Sequence, residues 1–513
     1  MQNESRVKKS LLNAKVNLVF YVLMLFVSFF SRKIFLERLG DDFVGLTGTL
    51  QNIMGFLNLA ELGVGAAVSY ALYKPIQEGN KEVINEIVSV FGCLYRYIGL
   101  FVLGAALVLS CFIPLIFKQT IFDLGIIYFA FFAFLSSSLL SYFINYRQIL
   151  LVADQKNYVV AAYYQTGNIL KAFIQIAIAY YTANFFAWVA IELCYGFVYA
   201  YILNKKIKQT YPWLQASVLR GKRERYKYPE IVRKTKQVFV HKIKDFLLSQ
   251  SDQILVFAFV SLKMVAFYGN YTLIITKITA LFTTTFDGMA AGVGNLIAEG
   301  DKPRIFKVFW ELVFVRYFIG GIVVFGVFHC IEPFISLWLG REYLLDSSIL
   351  ILLMVYTFIM LTRGAVDLFN AGYGNYQDVW SAWAEGIINI TVTLIAAPFL
   401  GISGILLGKI ASIIPIVVFW KPIFLYRSGF RSSVWPYWKG ISLNLLAFLA
   451  AFLPLHMAAS HLPINPYYNF LSWVGYAFVL TGAFVLCYFI ALYILTPGAR
   501  TMCARLSIFN RKR

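Results

Sequence analysis

Charged side chains stand inside long apolar stretches of this sequence, at positions that a membrane would surround. An ionisable group at that depth is costly, so it pairs with an opposite charge or lines a polar path. Cations there would attract an anionic ligand, and acids would balance that charge or bind a coupling ion. The predicted ligand-binding cations are Arg32, Lys171, Lys277, Arg363 and Lys409. The predicted counter-charges or ion-coupling groups are Asp245, Asp252 and Glu385.

Opposite charges also fall at matched depths on consecutive predicted helices, when depth is counted at about 1.5 Å per residue from the predicted cytoplasmic helix end. Such pairs would be salt bridges within a helix bundle, and this alternative stays open for each of them. The matched pairs are Glu61 with Arg96, Asp287 with Arg316, Lys171 with Glu192, and Glu385 with Lys409. The residues assigned to structural pairing are Glu61, Arg96, Asp287, Arg316 and Glu192. Two pairs at i, i+4 can neutralise locally; they are Arg363 with Asp367 and Lys33 with Glu37.

Three charges have no such match, namely Arg32, Asp252 and Lys277. We expect Arg32 and Lys277 to attract an anionic substrate in a central cavity, with Asp252 as a counter-charge or ion-coupling group. Arg32 could instead be an interfacial anchor that reaches towards water. A polar stripe at helical spacing ends at Asp252, and it is either an ion path or a packed polar interface. The stripe is His241, Lys244, Asp245, Ser249 and Asp252.

Residue patterns of known catalytic chemistry are missing from the sequence. It has no Walker motif, no Gly-x-Ser-x-Gly elbow and no Cys/His cluster with metal-ligand spacing. The six cysteines are scattered and mostly apolar in context, as small buried hydrophobes are. We therefore expect no enzyme, no metal and no cofactor. Driving energy would come from an ion gradient, the membrane potential or consumption of product.

The composition places those charges on membrane-spanning helices. Of the 513 residues, 60% are hydrophobic and 14% are charged, against about 25% charged in soluble proteins. The mean hydropathy is +0.71, and a span needs about 20 mostly apolar residues. The fourteen predicted spans are 16–39, 43–72, 87–117, 121–146, 157–182, 184–203, 238–260, 264–298, 308–335, 344–366, 376–397, 401–420, 440–459 and 470–495.

Lysine and arginine are concentrated in every second gap between these apolar runs. This positive-inside pattern predicts that both termini lie in the cytoplasm. The net charge of +20 does not indicate nucleic-acid binding, because the basic residues flank spans, where they meet anionic lipid head groups.

An internal repeat divides the predicted spans. The segment after span 2 reads EGNK at 78–81, and the segment after span 8 reads EGDK at 299–302. Arg96-Tyr97 and Arg316-Tyr317 match at a similar offset of about 220 residues. Spans 1–6 and 7–12 are therefore parallel repeats. We expect two six-helix bundles around a central cavity, working by alternating access, with two extra C-terminal helices.

Domain boundaries follow from the spans and the repeat. The longest polar segment is basic and lies near the middle of the chain. It is either a tether near anionic lipid or a regulatory or partner-binding segment. The predicted divisions are an N-lobe at 1–203, the basic linker at 204–237, a C-lobe at 238–420, additional helices at 421–498 and a basic tail at 499–513.

Short motifs along roughly residues 10–430 carry a family resemblance. They include Leu39-Gly40, LAELG at 59–63, LYKP at 72–75 and ADQKNY at 153–158. In order and spacing they resemble the polysaccharide-transporter family. These are flippases for lipid-linked O-antigen, capsule and exopolysaccharide units, within the multidrug/oligosaccharidyl-lipid/polysaccharide (MOP) exporter superfamily.

The resemblance implies fourteen helices in two lobes, in a bacterial cytoplasmic membrane. It implies an undecaprenyl-pyrophosphate-linked oligosaccharide as cargo, moved from the cytoplasmic to the outer leaflet. The lipid tail would stay in the bilayer while sugar and pyrophosphate cross a hydrated cationic cavity. Expected partners are membrane lipids and a glycan polymerase or glycosyltransferases.

Other functions predict different features. A cation-coupled multidrug exporter of the same superfamily is the alternative, and it would have an acidic cavity with few basic residues. Here lysine and arginine at membrane depth are at least as numerous as acids. A polytopic glycosyltransferase or polymerase would need a large external loop, whereas the predicted external loops are short. A non-transporting envelope scaffold has no positive signal.

Overall fold

The structure is a computed structural model that describes residues 6–57, 64–118, 120–154, 156–229, 252–287, 289–375 and 377–511. This described part is helical, and none of its residues is in a β-strand. The all-α prediction is confirmed, as expected for a chain whose backbone polar groups must be satisfied within lipid. Two compact units divide the chain, Met1–Ala266 and Phe267–Arg513.

Eleven helices lie in the first unit. They are α1 (Arg6–Leu39), α2 (Asp41–Leu57), α3 (Val64–Glu78), α4 (Lys81–Ser110), α5 (Ile113–Ile116), α6 (Leu124–Phe143), α7 (Ile149–Ala153), α8 (Asn157–Thr182), α9 (Phe185–Thr210), α10 (Val218–Glu224) and α11 (Asp252–Phe259), all within its described residues.

The next helix, α12 (Leu262–Asp287), begins in the first unit and continues into the second. The described residues of the second unit then form α13 (Ala290–Glu299), α14 (Lys302–Trp338), α15 (Ser347–Thr362), α16 (Gly364–Gly372), α17 (Val379–Leu400), α18 (Ile402–Ile413), α19 (Lys421–Phe424), α20 (Trp435–Ala459), α21 (Phe470–Leu495) and α22 (Pro497–Arg511). Two π-helical stretches, Ile414–Trp420 and Leu425–Phe430, flank α19 and make 402–430 one continuous helix.

Eleven helices within the described ranges are long and apolar enough to cross a membrane. Three predicted spans are not among them. Span 43–72 is divided between α2 and α3, with 58–63 outside the described residues, and most of span 238–260 is also outside them. Span 157–182 is α8, which carries Lys171 and several amides. The count of fourteen and the cytoplasmic position of the termini stay predictions.

The internal repeat appears as two copies of one turn. Gly79 and Gly300 have left-handed φ values of 69° and 76°, which glycine adopts without Cβ strain at a helix end. The next residue in each copy caps the following helix: Asn80 Oδ1 accepts from Val83 N, and Asp301 Oδ1 accepts from Arg304 N. Both turns therefore end one helix and start the next by the same contacts, 221 positions apart in the numbering.

Aromatic packing joins α2 to α9 in the core of the first unit. The ring of Phe43 is 1% exposed and stacks on Phe185, with centroids 4.7 Å apart. Trp188 meets Phe43 edge-on at 5.4 Å. Such offset and edge contacts are the arrangements that aromatic quadrupoles favour, and they fix α9, which carries one of the charged candidates.

The described part of the basic linker is packed rather than extended. Residues 204–210 continue α9, and α10 lies on α4, where a Cβ at Gly221 would overlap the carbonyl group of Ser89. Gln215 N donates to Asn85 Oδ1 at 2.6 Å. Arg220 and Lys227 both pair with Glu86, at 3.7 and 3.3 Å. Two basic residues of 204–229 therefore pair with acids of α4, and the roles of a tether near lipid or of a partner-binding segment stay predictions.

The first unit extends past the predicted linker. Its α11 packs on α2, where Asn52 Nδ2 donates to Gln253 Oε1 at 2.7 Å. The division between the units follows Ala266. The assignment of 238–420 to a C-lobe stays a prediction.

Two small residues allow α17 and α18 of the second unit to pack closely. A Cβ at Gly404 would lie 2.5 Å from the carbonyl carbon of Ala396, and one at Gly408 would lie 2.8 Å from Asn389 O. Close approach through glycines four residues apart is a usual device of membrane helices. It brings the buried face of α17 directly against the backbone of α18.

The additional C-terminal helices belong to the second unit. Helices α20 and α21 pack on each other, and α21 packs on α14, with Phe325 stacked on Phe484 at 4.0 Å between centroids. The tail helix α22 returns to α14, where Arg505 Nη1 lies 2.9 Å from Glu311 Oε2. Because Glu311 is 3% exposed, this pair compensates a buried charge.

Candidate functional site: charged side chains within the apolar helices

A tight turn brings α8 and α9 together as antiparallel neighbours. Ala183 takes a left-handed φ of 48°, and Asn184 Oδ1 caps α9 by accepting from Ala187 N at 2.9 Å. The hairpin places Lys171 opposite Glu192, with Lys171 Nζ 2.9 Å from Glu192 Oε1. The two side chains are 16% and 13% exposed, so the charges meet largely out of solvent.

Both members of this ion pair make further contacts. Gln175 Nε2 donates to the second carboxylate oxygen of Glu192 at 3.4 Å. Lys171 Nζ also lies 4.8 Å above the ring of Tyr195, within cation–π range. Lys171 and Glu192 therefore form a salt bridge between α8 and α9, as the structural alternative expects.

Arg32 lies near the end of α1 and is hydrogen-bonded to the backbone of α12. Its Nη2 donates to the carbonyl oxygen of Ala266 at 2.9 Å. Close by in the chain, Lys263 Nζ lies 4.0 Å from Asp41 Oδ2. These contacts join α1 and α2 to the first turn of α12, and they give Arg32 a role beyond that of a free interfacial anchor. Asp252 starts α11 and is 8% exposed.

Two arginines lie at the junction of α15 and α16. A Cβ at Gly364 would lie 2.5 Å from both Cζ and Nη1 of Arg316, so the Arg316 guanidinium packs on this glycine. The adjacent Arg363 donates from Nε to Asp367 Oδ2 at 3.0 Å, and those side chains are 25% and 41% exposed. We refer to Arg316, Arg363 and Asp367 as the arginine cluster.

Sequence spacing predicted the pair of Arg363 with Asp367 but not the position of Arg316 on Gly364. It assigned Arg316 to Asp287, whose side chain lies outside the described residues. The missing signal is Gly364, because only a residue without a side chain leaves room for the Arg316 guanidinium beside Arg363. A glycine between two charged residues at a predicted helix break would have been the sequence feature to follow.

Glu385 and Lys409 are buried in the close-packed seam between α17 and α18. Glu385 is 1% exposed and Lys409 is 5% exposed. Lys409 Nζ lies 4.7 Å above the ring of Tyr356 on α15. On α17, Glu385 continues with Asn389 and Thr393 as a polar stripe at i, i+4 and i+8, each at most 4% exposed. Such burial favours a structural role for both charges over substrate contact.

The remaining candidate residues lie on other helices or outside the described residues. Lys277 is half-buried in the middle of α12, and Arg96 is exposed on α4. Glu61 and Asp245 lie outside the described residues, as do His241, Lys244 and Ser249 of the polar stripe. The pairing of Arg96 with Glu61 and the stripe that ends at Asp252 stay predictions.

Besides Arg505 with Glu311, a second buried ion pair was not predicted from the sequence. Lys421 Nζ lies 2.6 Å from Asp378 Oδ2, which also accepts from Trp420 Nε1 at 3.2 Å. Asp378 is 7% exposed. The partners are separated by 43 residues and by one whole helical hairpin, so no periodic pattern connects them. The pair ties the start of α17 to α19.

Comparisons with known proteins show the fold. No protein-family model matches the sequence, and no curated protein does. The solved lipid II flippase MurJ, in an inward closed conformation, matches with a TM-score of 0.63 over 94% of this chain and 98% of its own, at 13% identity. The chain therefore has a fold similar to that of this flippase.

Two MATE transporters share this fold. An inward-facing multidrug resistance MATE family transporter of the MOP superfamily matches with a TM-score of 0.57, over 82% of this chain and 100% of its own, at 15% identity. The Vibrio cholerae MATE transporter VcmN, as a mutant, matches at 0.52, over 84% and 99%, at 14% identity. The neighbours are membrane transporters or flippases and not enzymes.

Proposed function

We propose that this protein is a flippase for undecaprenyl-pyrophosphate-linked oligosaccharide repeat units. It would move them from the cytoplasmic to the outer leaflet of a bacterial cytoplasmic membrane by alternating access, for O-antigen, capsule or exopolysaccharide synthesis. A glycan polymerase or glycosyltransferases would be its partners on either side of that step.

The arginine cluster is the observation that carries the proposal. Its three side chains bring two positive formal charges and one negative charge to a junction between apolar helices. Charge interactions are stronger there than in water, because the surroundings are less polarisable. A guanidinium also presents a planar fork of donors that matches phosphate oxygens. Arg316 and Arg363 therefore suit a pyrophosphate better than an organic cation.

The remaining charges take supporting roles in this proposal. Arg32 and Lys277 would draw the anionic head group, and Asp252 would act as a counter-charge or ion-coupling group. Lys171 and Lys409 are packed against other side chains of their own units, so we assign them first to holding those helices together. The MATE neighbours support the multidrug exporter as the alternative, since they share the fold.

Deletion of the gene in its host tests the proposal. We expect loss of surface polymer, with undecaprenyl-linked units held on the cytoplasmic leaflet. The wild-type gene should restore the polymer, and Arg316→Gln with Arg363→Gln should not. Lys439→Gln is the control, because Lys439 is exposed near the start of α20 and outside the cluster. Normal surface glycan with altered sensitivity to cationic drugs would instead support the exporter.

A further inference from the structure

A groove between α8 and α9 has no role in the function described so far. It encloses a cavity of about 320 Å³, and residues 163–174 of α8 and 191–202 of α9 line it. Four apolar side chains along it are 40–61% exposed; they are Leu170, Ile174, Val198 and Ile202. We call this the α8/α9 groove.

The groove is the length of one leaflet. Eleven helical steps at about 1.5 Å each give roughly 16 Å, about half of the 30 Å hydrocarbon core of a bilayer. The end of the groove at Tyr163 and Ile202 lies six residues from the start of α8 and eight residues from the end of α9. In the predicted orientation these are the cytoplasmic ends. The groove therefore lies at the depth of the cytoplasmic leaflet's chains.

The lining accepts hydrocarbon and little else. The one charged residue that lines it is Lys171, at its inner end, and that ammonium group already contacts Glu192 and the ring of Tyr195. A sugar or head group would find few polar partners there, and burying its hydroxyls without partners is unfavourable. An apolar chain has no hydrogen bonds to lose on entering.

Aromatic rings shape one wall. A Cβ at Gly167 would lie 2.7 Å from Cε2 of Tyr195, so the missing side chain lets this ring lie on the α8 backbone. The Tyr195 hydroxyl donates to Tyr164 O at 2.9 Å, and the ring stacks on Tyr199 with centroids 6.0 Å apart. These contacts hold the ring faces in fixed positions beside the cavity.

We propose that the α8/α9 groove holds part of the polyprenyl chain of the lipid-linked substrate while its head group is being moved. The inference rests on the proposed function. Planar double bonds and side methyl groups of a prenyl chain pack on fixed ring faces, whereas a straight acyl chain offers neither. The groove also lies in the leaflet where the substrate is expected to load.

Filling the groove tests this proposal. The variant Leu170→Trp with Val198→Trp places two large rings in the groove at positions that are 61% and 55% exposed, so it disturbs no core packing. The matched control is Phe173→Trp with Phe197→Trp, each 53% exposed on the same helices but outside the groove lining. Thermal unfolding of both variants checks that each remains folded.

Binding is measured on the full chain in phosphatidylethanolamine nanodiscs. The probes are an undecaprenyl-pyrophosphate-linked saccharide and its homologue with a three-isoprene chain. We expect wild type and control to bind the long chain about tenfold more tightly, which corresponds to about 1.4 kcal/mol. The groove-filled variant should bind both probes with the affinity that wild type shows for the short one.

Several results would overturn the groove assignment. One is a chain-length preference that survives in the groove-filled variant. Another is a wild type that binds both probes equally, which leaves the flippase proposal intact. A third is an equally large preference between saturated alkyl-pyrophosphate-linked saccharides of the same two lengths, which identifies a site for any hydrocarbon chain. Failure of wild type to bind either probe would count against the proposed function itself.

Discussion

Replacement of Gly408 by alanine should separate α17 from α18 and destabilise the second unit. The new Cβ would overlap Thr393 Oγ1 and would lie 2.8 Å from Asn389 O and 3.0 Å from Thr393 N, whereas ordinary contact begins at 3.4 Å. Two of these neighbours are backbone atoms of α17, so relief requires movement of a helix. Overpacking of this kind costs about 1–3 kcal/mol.

Gly386 on the same helix α17 supplies the matched control. No heavy atom lies within 4 Å of a Cβ built there, so Gly386→Ala should be neutral or stabilising by up to about 1 kcal/mol through helix propensity. Because 1 kcal/mol shifts the unfolding midpoint by about 2–4 °C in a unit of this size, Gly408→Ala should lower it by about 2–12 °C. The assay is thermal unfolding of the purified chain in detergent. Equal midpoints for the two variants would refute the close-packed seam.

Three further changes probe the other contacts. Glu192→Gln removes the carboxylate that binds Lys171 and should lower the free energy of unfolding by up to about 3 kcal/mol. Adding Lys171→Met should recover part of that loss. A double variant less stable than either single variant would contradict the ion pair. Arg505→Gln leaves the buried Glu311 carboxylate without its guanidinium partner, so trypsin should cut the tail helix α22 faster. Adding Glu311→Gln should reverse this effect. An unchanged cleavage rate would show that α22 is held by other contacts. Docking of residues 211–229 on α4 should weaken as pH rises above 10, the usual pKa of tyrosine. In the docked state, burial and the hydrogen bond to Glu86 raise the pKa of Tyr228. Hydrogen bonds to Glu224 and Glu86 raise the pKa of Lys227. Each raised pKa contributes stability that is complete below the ordinary pKa and is lost as pH rises through the raised one. The protection factors of the α10 amides, corrected for base-catalysed intrinsic exchange, should therefore fall at high pH. Protection factors that stay constant would exclude these groups.

Local sequence rules predicted the helices, the repeated motif and one ion pair. The motif EGNK/EGDK determines its own structure, since glycine supplies the left-handed residue and Asn80 or Asp301 supplies the cap. Lys171 and Glu192 are on consecutive helices joined by a two-residue turn, so depth alone was enough to match them. In both cases the partners are close along the chain.

Contacts between distant segments were beyond the same reasoning. Docking of 211–229 on α4 depends on Gly221 meeting Ser89, and the arginine cluster depends on Gly364 lying beside Arg316. Each requires that two surfaces fit, which periodicity and charge spacing do not encode. The burial of Lys409 likewise follows from the closeness of α17 and α18, so a cation chosen for ligand binding proved to be enclosed by helices.

Translocation by the purified protein tests the central claim most directly. Proteoliposomes would carry a fluorescent undecaprenyl-pyrophosphate-linked oligosaccharide in both leaflets, and a membrane-impermeant quencher would report the fraction that becomes accessible with time. We predict faster exposure than in protein-free liposomes, and a rate near the protein-free value for Arg316→Gln with Arg363→Gln. Exposure no faster than in protein-free liposomes, together with transport of a cationic dye by the same preparation, would contradict the flippase and support the multidrug exporter.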